Sequence, residues 1–84
     1  MAMEYAYANI TTNTTTTVKS GSGFLHTIAV NATAAGTIAI KDGTTVIGTL
    51  KSSVAEQTFI YDVSFGTSLV IVTGASSDIT VSYR

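Results

Sequence analysis

The side chains able to do chemistry are few. The chain has one histidine, His26, five carboxylates (Glu4, Asp42, Glu56, Asp62 and Asp78), four cations (Lys19, Lys41, Lys51 and Arg84) and no cysteine. Without a thiol, a metal held through His26 would need carboxylates delivered from distant strands. A general base needs a nucleophile or substrate within hydrogen-bond reach, and the neighbours of His26 at two-residue spacing are Phe24 and Ile28. No two carboxylates are placed by spacing at the separations glycosidases or aspartic proteases use. Asp42 precedes a glycine in a turn, while Asp62 and Asp78 occupy positions where such residues cap backbone amides or pair with a lysine. The expectation is no enzyme activity, no cofactor and no metal, with His26 a structural residue hydrogen-bonded in the core or lying at a subunit contact. Three symmetry-related copies of His26 around an axis could still gather an ion or a proton.

Two motifs invite a chemical reading and do not sustain it. Lys19-Ser-Gly-Ser-Gly23 carries a phosphate loop's residue types in the reverse order, and a strand rather than a helix follows. The Asn-x-Thr triplets at Asn9, Asn13 and Asn31 match the glycosylation pattern, but no basic or apolar leader precedes them, and sixteen threonines produce such triplets as a by-product. The run Ile10 to Lys19 holds six of those threonines without the regular repeat an ice-binding ladder needs. With a net charge of −1 and scattered lysines there is no field to draw nucleic acid, and the longest strongly aliphatic run, Leu69 to Val72, is far too short to span a membrane as a helix. Neither nucleic acid nor membrane is an expected partner.

The element that must position His26 is the stretch Gly23 to Asn31. Period-two alternation puts Phe24, His26, Ile28 and Val30 on one face and Leu25, Thr27 and Ala29 on the other. Both faces are mostly apolar, which suits a central strand or one that meets a neighbouring subunit. Before it, Met3, Tyr5 and Tyr7 alternate with Glu4, Ala6 and Ala8; residues 1–9 are either a first strand of the domain's own sheet or an extended arm laid on a neighbour. Tyr5, Tyr7, Leu25 and His26 are the candidate interface residues.

Farther along, Thr37 to Lys41 and Thr45 to Leu50 flank Asp42-Gly43, a hairpin signal. Either loop length, pairing Lys41 with Thr44 or with Val46, leaves Ile38, Ile40 and Ile47 on one face. Lys51 to Glu56 is a polar connection with room for a helical turn. Phe59, Tyr61, Val63 and Phe65 form an aromatic-rich face, Leu69 and Ile71 oppose Val70 and Val72, and the last strand lines up Ile79, Val81 and Tyr83. Short strands separated by Gly, Ser and Asp turns predict an all-β fold, a small antiparallel sandwich or barrel of six to eight strands in one domain, 1–84.

Eighty-four residues bury only about 60 to 65% of their unfolded surface, and this chain has neither disulfide nor structural metal to add stability. Oligomerisation is the remaining device. Charged residues are only 11% of the chain and proline is absent, so open strand edges lack two common protections and are expected to be covered by partner subunits.

The segments Lys19-Ser-Gly-Ser-Gly-Phe-Leu-His-Thr-Ile-Ala-Val-Asn31, Tyr61-Asp-Val-Ser-Phe65, Leu69-Val-Ile-Val-Thr73 and Asp78-Ile-Thr-Val-Ser-Tyr83 together resemble a group of small, threonine-rich, all-β virion proteins of tailed bacteriophages. The likeness covers roughly residues 15 to 84. In that group a proline can stand at the place of Ser22 and a glycine at that of Ser68, so turn geometry carries over loosely. The resemblance implies a capsid decoration or cement protein, made in the host cytoplasm and mounted on the virion. Its partners would be the major capsid protein or other virion proteins and copies of itself, a trimer being favoured. No catalytic residue transfers. The alternative is a tail, neck or fibre module that binds a host receptor or glycan through loops such as Ala32 to Gly36 and Gly74 to Ser77.

Overall fold

The computed structural model describes residues 5–84, and every regular element in it is a strand: β1 (Ala6–Ile10), β2 (Thr15–Ser20), β3 (Gly23–Ala32), β4 (Ile38–Asp42), β5 (Thr45–Leu50), β6 (Thr58–Phe65), β7 (Ser68–Thr73) and β8 (Asp78–Tyr83). They form two four-stranded antiparallel sheets, β1-β8-β3-β6 and β2-β7-β4-β5. The protein is therefore a small β-sandwich. Among the described residues only β4 and β5 make a hairpin within one sheet; each of the other six connections carries the chain across to the opposite layer, so sequence neighbours face each other through the core.

Between the layers lie Ile28, Val30, Ile79 and Val81 from one sheet and Ile38, Ile40, Leu69 and Ile71 from the other. Alternation accounts for β4, β7 and β8 directly. Phe65 is buried and Phe59, Tyr61 and Val63 pack against the core, so the aromatic row of β6 faces inward; burial pushes the Tyr61 phenol above its ordinary value. Ile47 also packs partly against this core.

Strand β3 departs from its alternation. Leu25 is 0% exposed and shares the core face with Ile28 and Val30, whereas Phe24 and His26 do not belong to the core. The register explains the switch. Between the level of Phe59, Ile28 and Val81 and the level of Val63, Leu25 and Tyr83, β8 has the single residue Ser82, β3 has His26 and Thr27, and β6 has Ile60, Tyr61 and Asp62. An extra residue in β3 relative to β8 is a bulge, which reverses the parity of the strand. Leu25, expected as an interface residue, is thus a core residue, and His26 is carried to the outer face.

The β4–β5 hairpin pairs Lys41 with Val46 and closes with Asp42 opposite Thr45, leaving Gly43-Thr44 as the loop, with Gly43 at φ +62°. This is the Lys41–Val46 pairing with one further rung added. Asp42 does more than shape its own turn. Its carboxylate accepts the N–H groups of Gly66 (2.9 Å), Thr67 (2.8 Å) and Ser68 (3.3 Å), clamping the corner between β6 and β7. Those amides hold the Asp42 carboxyl below its ordinary value. Lys51 to Glu56 contains no helical turn: Val54 is buried, the Thr33 hydroxyl donates to the Val54 carbonyl, and Ser53 N–H donates to Ala34 O at 3.1 Å.

Gly23 is required for close approach rather than for φ. A Cβ there would sit 2.3 Å from the Arg84 carbonyl oxygen and 2.7 Å from Phe65 Cζ. Arg84 N–H and C=O exchange hydrogen bonds with Phe24 at 2.8 and 2.9 Å, so the segment after β8 continues the sheet past Tyr83.

The four edges are β1, β6, β2 and β5. Three of them carry a register break, at Val18 in β2, at Ile47 in β5 and beside Asp62 in β6. Bulges interrupt the repeating N–H and C=O pattern that another strand would need. These edges thus have an intrinsic protection where proline was missing; β1 alone keeps an unbroken register, its five residues pairing with β8 from Ala6–Tyr83 to Ile10–Ile79. Of the two readings of residues 1–9, the first strand of the chain's own sheet is the one seen from Ala6 onward, and residues 1–4 lie outside the described residues.

Candidate functional site

The bulge places His26 on the outer face of the β1-β8-β3-β6 sheet, opposite Asp62 of edge strand β6. His26 Nδ1 and Asp62 Oδ1 are 2.6 Å apart, with Nδ1–H donating to the carboxylate. Both side chains are partly exposed, 35% and 51%. Asp62 adopts φ +49°, a left-handed conformation that aspartate tolerates better than most residues because its short polar side chain bonds locally. Here the extra residue of β6 turns the carboxylate towards its neighbour strand. A short bond between an imidazole N–H and a carboxylate helps hold that geometry.

Tyr5 stacks on the imidazole, with ring centroids 4.4 Å apart and planes 16° from parallel. The Arg84 guanidinium lies 5.8 Å from the Tyr5 centroid, at the far limit of a cation–π contact. Arg84, Tyr5, His26 and Asp62 therefore form one layered group, assembled from both ends of the described chain and from β3 and β6. With Nδ1 engaged, the ring nitrogen left for outside partners is Nε2. The carboxylate orients the ring as it does in many metal-bound histidines, yet no group of three or more His, Asp or Glu side chains gathers among the described residues.

A second polar cluster lies on the same face. Asp78 Oδ1 accepts Asn9 Nδ2 at 2.7 Å and Asn31 Nδ2 at 3.2 Å; Asn9 also donates to Ile79 O at 2.9 Å, and Asn31 to Thr80 Oγ1 at 3.0 Å. Asn31 reaches this position because β3 carries another register break between Val30 and Ala32. Two of the three sequon asparagines thus have their amide nitrogens committed to Asp78.

Of the candidate interface residues, the structure brings Tyr5 and His26 together, sets Tyr7 on the outer face at 74% exposure, and buries Leu25. The expectation of His26 in the core is corrected by the bulge; it is hydrogen-bonded, but at the surface. Sequence reasoning missed Asp62 as its partner, and nothing in a 36-residue separation signals the pair. Also missed was Thr73, buried on β7, whose hydroxyl accepts Thr14 N–H at 3.0 Å and donates to Thr12 O at 2.6 Å. No cavity opens among the described residues, so both polar groups sit on an open face. No known protein-family model matches the chain, and a search of curated proteins finds no significantly similar sequence.

Proposed function

We propose that this protein is a structural subunit of a tailed-phage virion, a decoration or cement protein that stabilises the head through repeated subunit contacts. The observation that carries the proposal is the distribution of exposed apolar side chains over the sandwich. Tyr7 is 74% and Ile60 71% exposed, and they end one cross-strand row, Tyr7–Ser82–Thr27–Ile60, at opposite edges of the same sheet. Val46 adds a third exposed apolar residue on the other sheet.

Each such side chain buried against a neighbour contributes about 25 cal/mol per Å² of apolar area removed from water. Singly these contacts are weak; repeated over a shell they add. A face whose inner rows end in Ser and Thr and whose margins end in Tyr and Ile can meet one partner on each side. Trimers suit this role because icosahedral shells present threefold positions.

The test is immunolabelling of purified particles from the source with antibody against this chain, together with mass measurement of the purified protein. Regular labelling of the head supports the proposal. Labelling confined to the tail or fibre would favour the receptor-binding alternative, and unlabelled particles would refute both.

A further inference from the structure

We propose that the open edge of β1 docks a second copy of this chain, the two β1 strands pairing antiparallel about a twofold axis at Ala8, with Tyr7 of each copy opposite Asn9 of the other. The two β1-β8-β3-β6 sheets then join along β1. This contact goes beyond the cementing role and does not depend on it, and it leaves the β2-β7-β4-β5 sheet and the β6 margin free.

The backbone shows which groups are on offer. Arg84 exchanges both of its hydrogen bonds with Phe24 of β3. Residues of a strand turn alternately to one neighbour and the other, so Tyr83, Val81 and Ile79 turn to β1, where they stand opposite Ala6, Ala8 and Ile10. The N–H and C=O groups of Tyr7 and Asn9 therefore point away from β8, and among the described residues no strand lies on that side. A second copy supplies the same pair in the complementary order. With Tyr7 opposite the partner's Asn9, both N–H···O bonds form in each of the symmetry-related pairs, and all of Ala6–Ile10 overlies the partner's strand. Alanine meets alanine at the axis, so no bulky side chains collide there.

The other three edges are guarded and this one is not. Edge strands avoid unwanted pairing through bulges, charges or proline. Register breaks interrupt β2, β5 and β6, and β2 and β6 also carry Lys19 and Asp62. Ala-Tyr-Ala-Asn-Ile has none of these devices.

Charge favours a second copy and fixes its register. On the outer face of the β1 sheet the groups that carry or can take charge are His26 and Asp62, bonded to each other on β3 and β6, and Asp78 and Arg84 at opposite ends of β8. Extending the β1–β8 register by one residue each way puts Arg84 level with Tyr5 and Asp78 level with Thr11. Pairing Tyr7 with the partner's Asn9 sets Tyr5 level with the partner's Thr11. Arg84 of each copy then lies level with Asp78 of the other, three strand spacings or about 14 Å away, and the Arg84 guanidinium already leans over Tyr5 towards that edge. Opposite charges so placed choose orientation more than they add affinity. Shifting the axis to Tyr7 or to Asn9 keeps the backbone parity but removes this match.

A five-residue edge buries less than a standard interface, so the pair is a weak one. The experiment is sedimentation equilibrium of the full chain from micromolar to millimolar concentration. Wild type should pass from monomer towards dimer. Tyr7→Pro removes an outward N–H and spares the bonds to β8, as proline on an edge strand can, and should weaken pairing about thirtyfold or more; Tyr7→Ser keeps that N–H and should weaken it less. The chain has no cysteine of its own, so a disulfide reads the register even if the proline variant fails to fold. An oxidised equimolar mixture of Tyr7→Cys and Asn9→Cys should form a linked heterodimer, the Cα atoms being about 5.5 Å apart, while either variant alone, at the diagonal separation of about 7 to 8 Å, should not. A wild type that stays monomeric at millimolar concentration, association unchanged by Tyr7→Pro, or a mixture that links no better than its components would overturn the proposal.

Discussion

Replacing Thr73 by valine tests whether one buried hydroxyl holds the link between β1 and β2. Thr73 is 1% exposed and points into the core opposite Ile38, so an isosteric valine creates no cavity and adds no volume. What it removes is specific. The hydroxyl accepts Thr14 N–H at 3.0 Å and donates to Thr12 O at 2.6 Å, whereas the backbone bond from Thr73 N–H to Thr14 O at 2.9 Å survives the change. Stranding a buried donor and acceptor costs about 1 to 3 kcal/mol each, but Thr12 and Thr14 are exposed residues whose backbone can rehydrate by moving outward. The expected loss is therefore about 2 kcal/mol in all, and for a domain of this size that is a fall in Tm of about 8 to 16 °C. Urea denaturation of wild type, Thr73→Val and Thr73→Ser measures it. The serine variant keeps the hydroxyl and gives up one methyl group, about 1 kcal/mol, so it should be the more stable of the two. A valine variant within about 0.5 kcal/mol of wild type, or one more stable than serine, would refute the anchoring argument.

Two further outcomes follow from the geometry. Leu25→Ala should destabilise the isolated chain by about 2 to 5 kcal/mol, the range for a buried leucine; an interface leucine would instead leave the monomer's stability unchanged, and chemical denaturation distinguishes them. Asp42 has a folded pKa below its ordinary value of 3.8 because three backbone amides bond its charged form. The stability it contributes is therefore complete above that ordinary value and is lost as pH falls through the lower folded one. Asp42→Asn should lower stability at neutral pH and flatten the acid limb of the stability profile below about pH 4. An unchanged acid limb would show that the clamp at Gly66 to Ser68 is not felt in solution.

Much of the architecture is legible in the residue order. Alternation in Ile38–Ile40, Leu69–Ile71, Ile79–Val81 and Phe59–Phe65 is a local property of extended backbone, so which side of these strands faces the core follows from residue order alone. Turn residues act locally as well: Gly43 takes positive φ where the Asp42-Gly43 hairpin was expected. The Gly23 to Asn31 strand shows where such reasoning stops. A bulge depends on how many residues the neighbouring strands place between shared levels, and no window of β3 contains that information. One extra residue there moved Leu25, expected at an interface, into the core, and put His26, expected either in the core or at a subunit contact, on the outer face.

The sequence by itself determined that this chain is all-β, nearly uncharged, without thiol chemistry, and built from strands whose apolar faces demand a second layer. Those conclusions rest on composition and on period-two patterning, which each segment carries independently. Only the tertiary structure decided that His26 meets Asp62 beneath Tyr5, that Asp42 clamps a corner 24 residues away, and that Asn9 and Asn31 converge on Asp78. These groups form from side chains on strands paired in non-sequential order, β1 beside β8 and β8 beside β3. Their partners are selected by sheet order and register, which arise when two whole sheets close over one core and not from any stretch of chain taken alone.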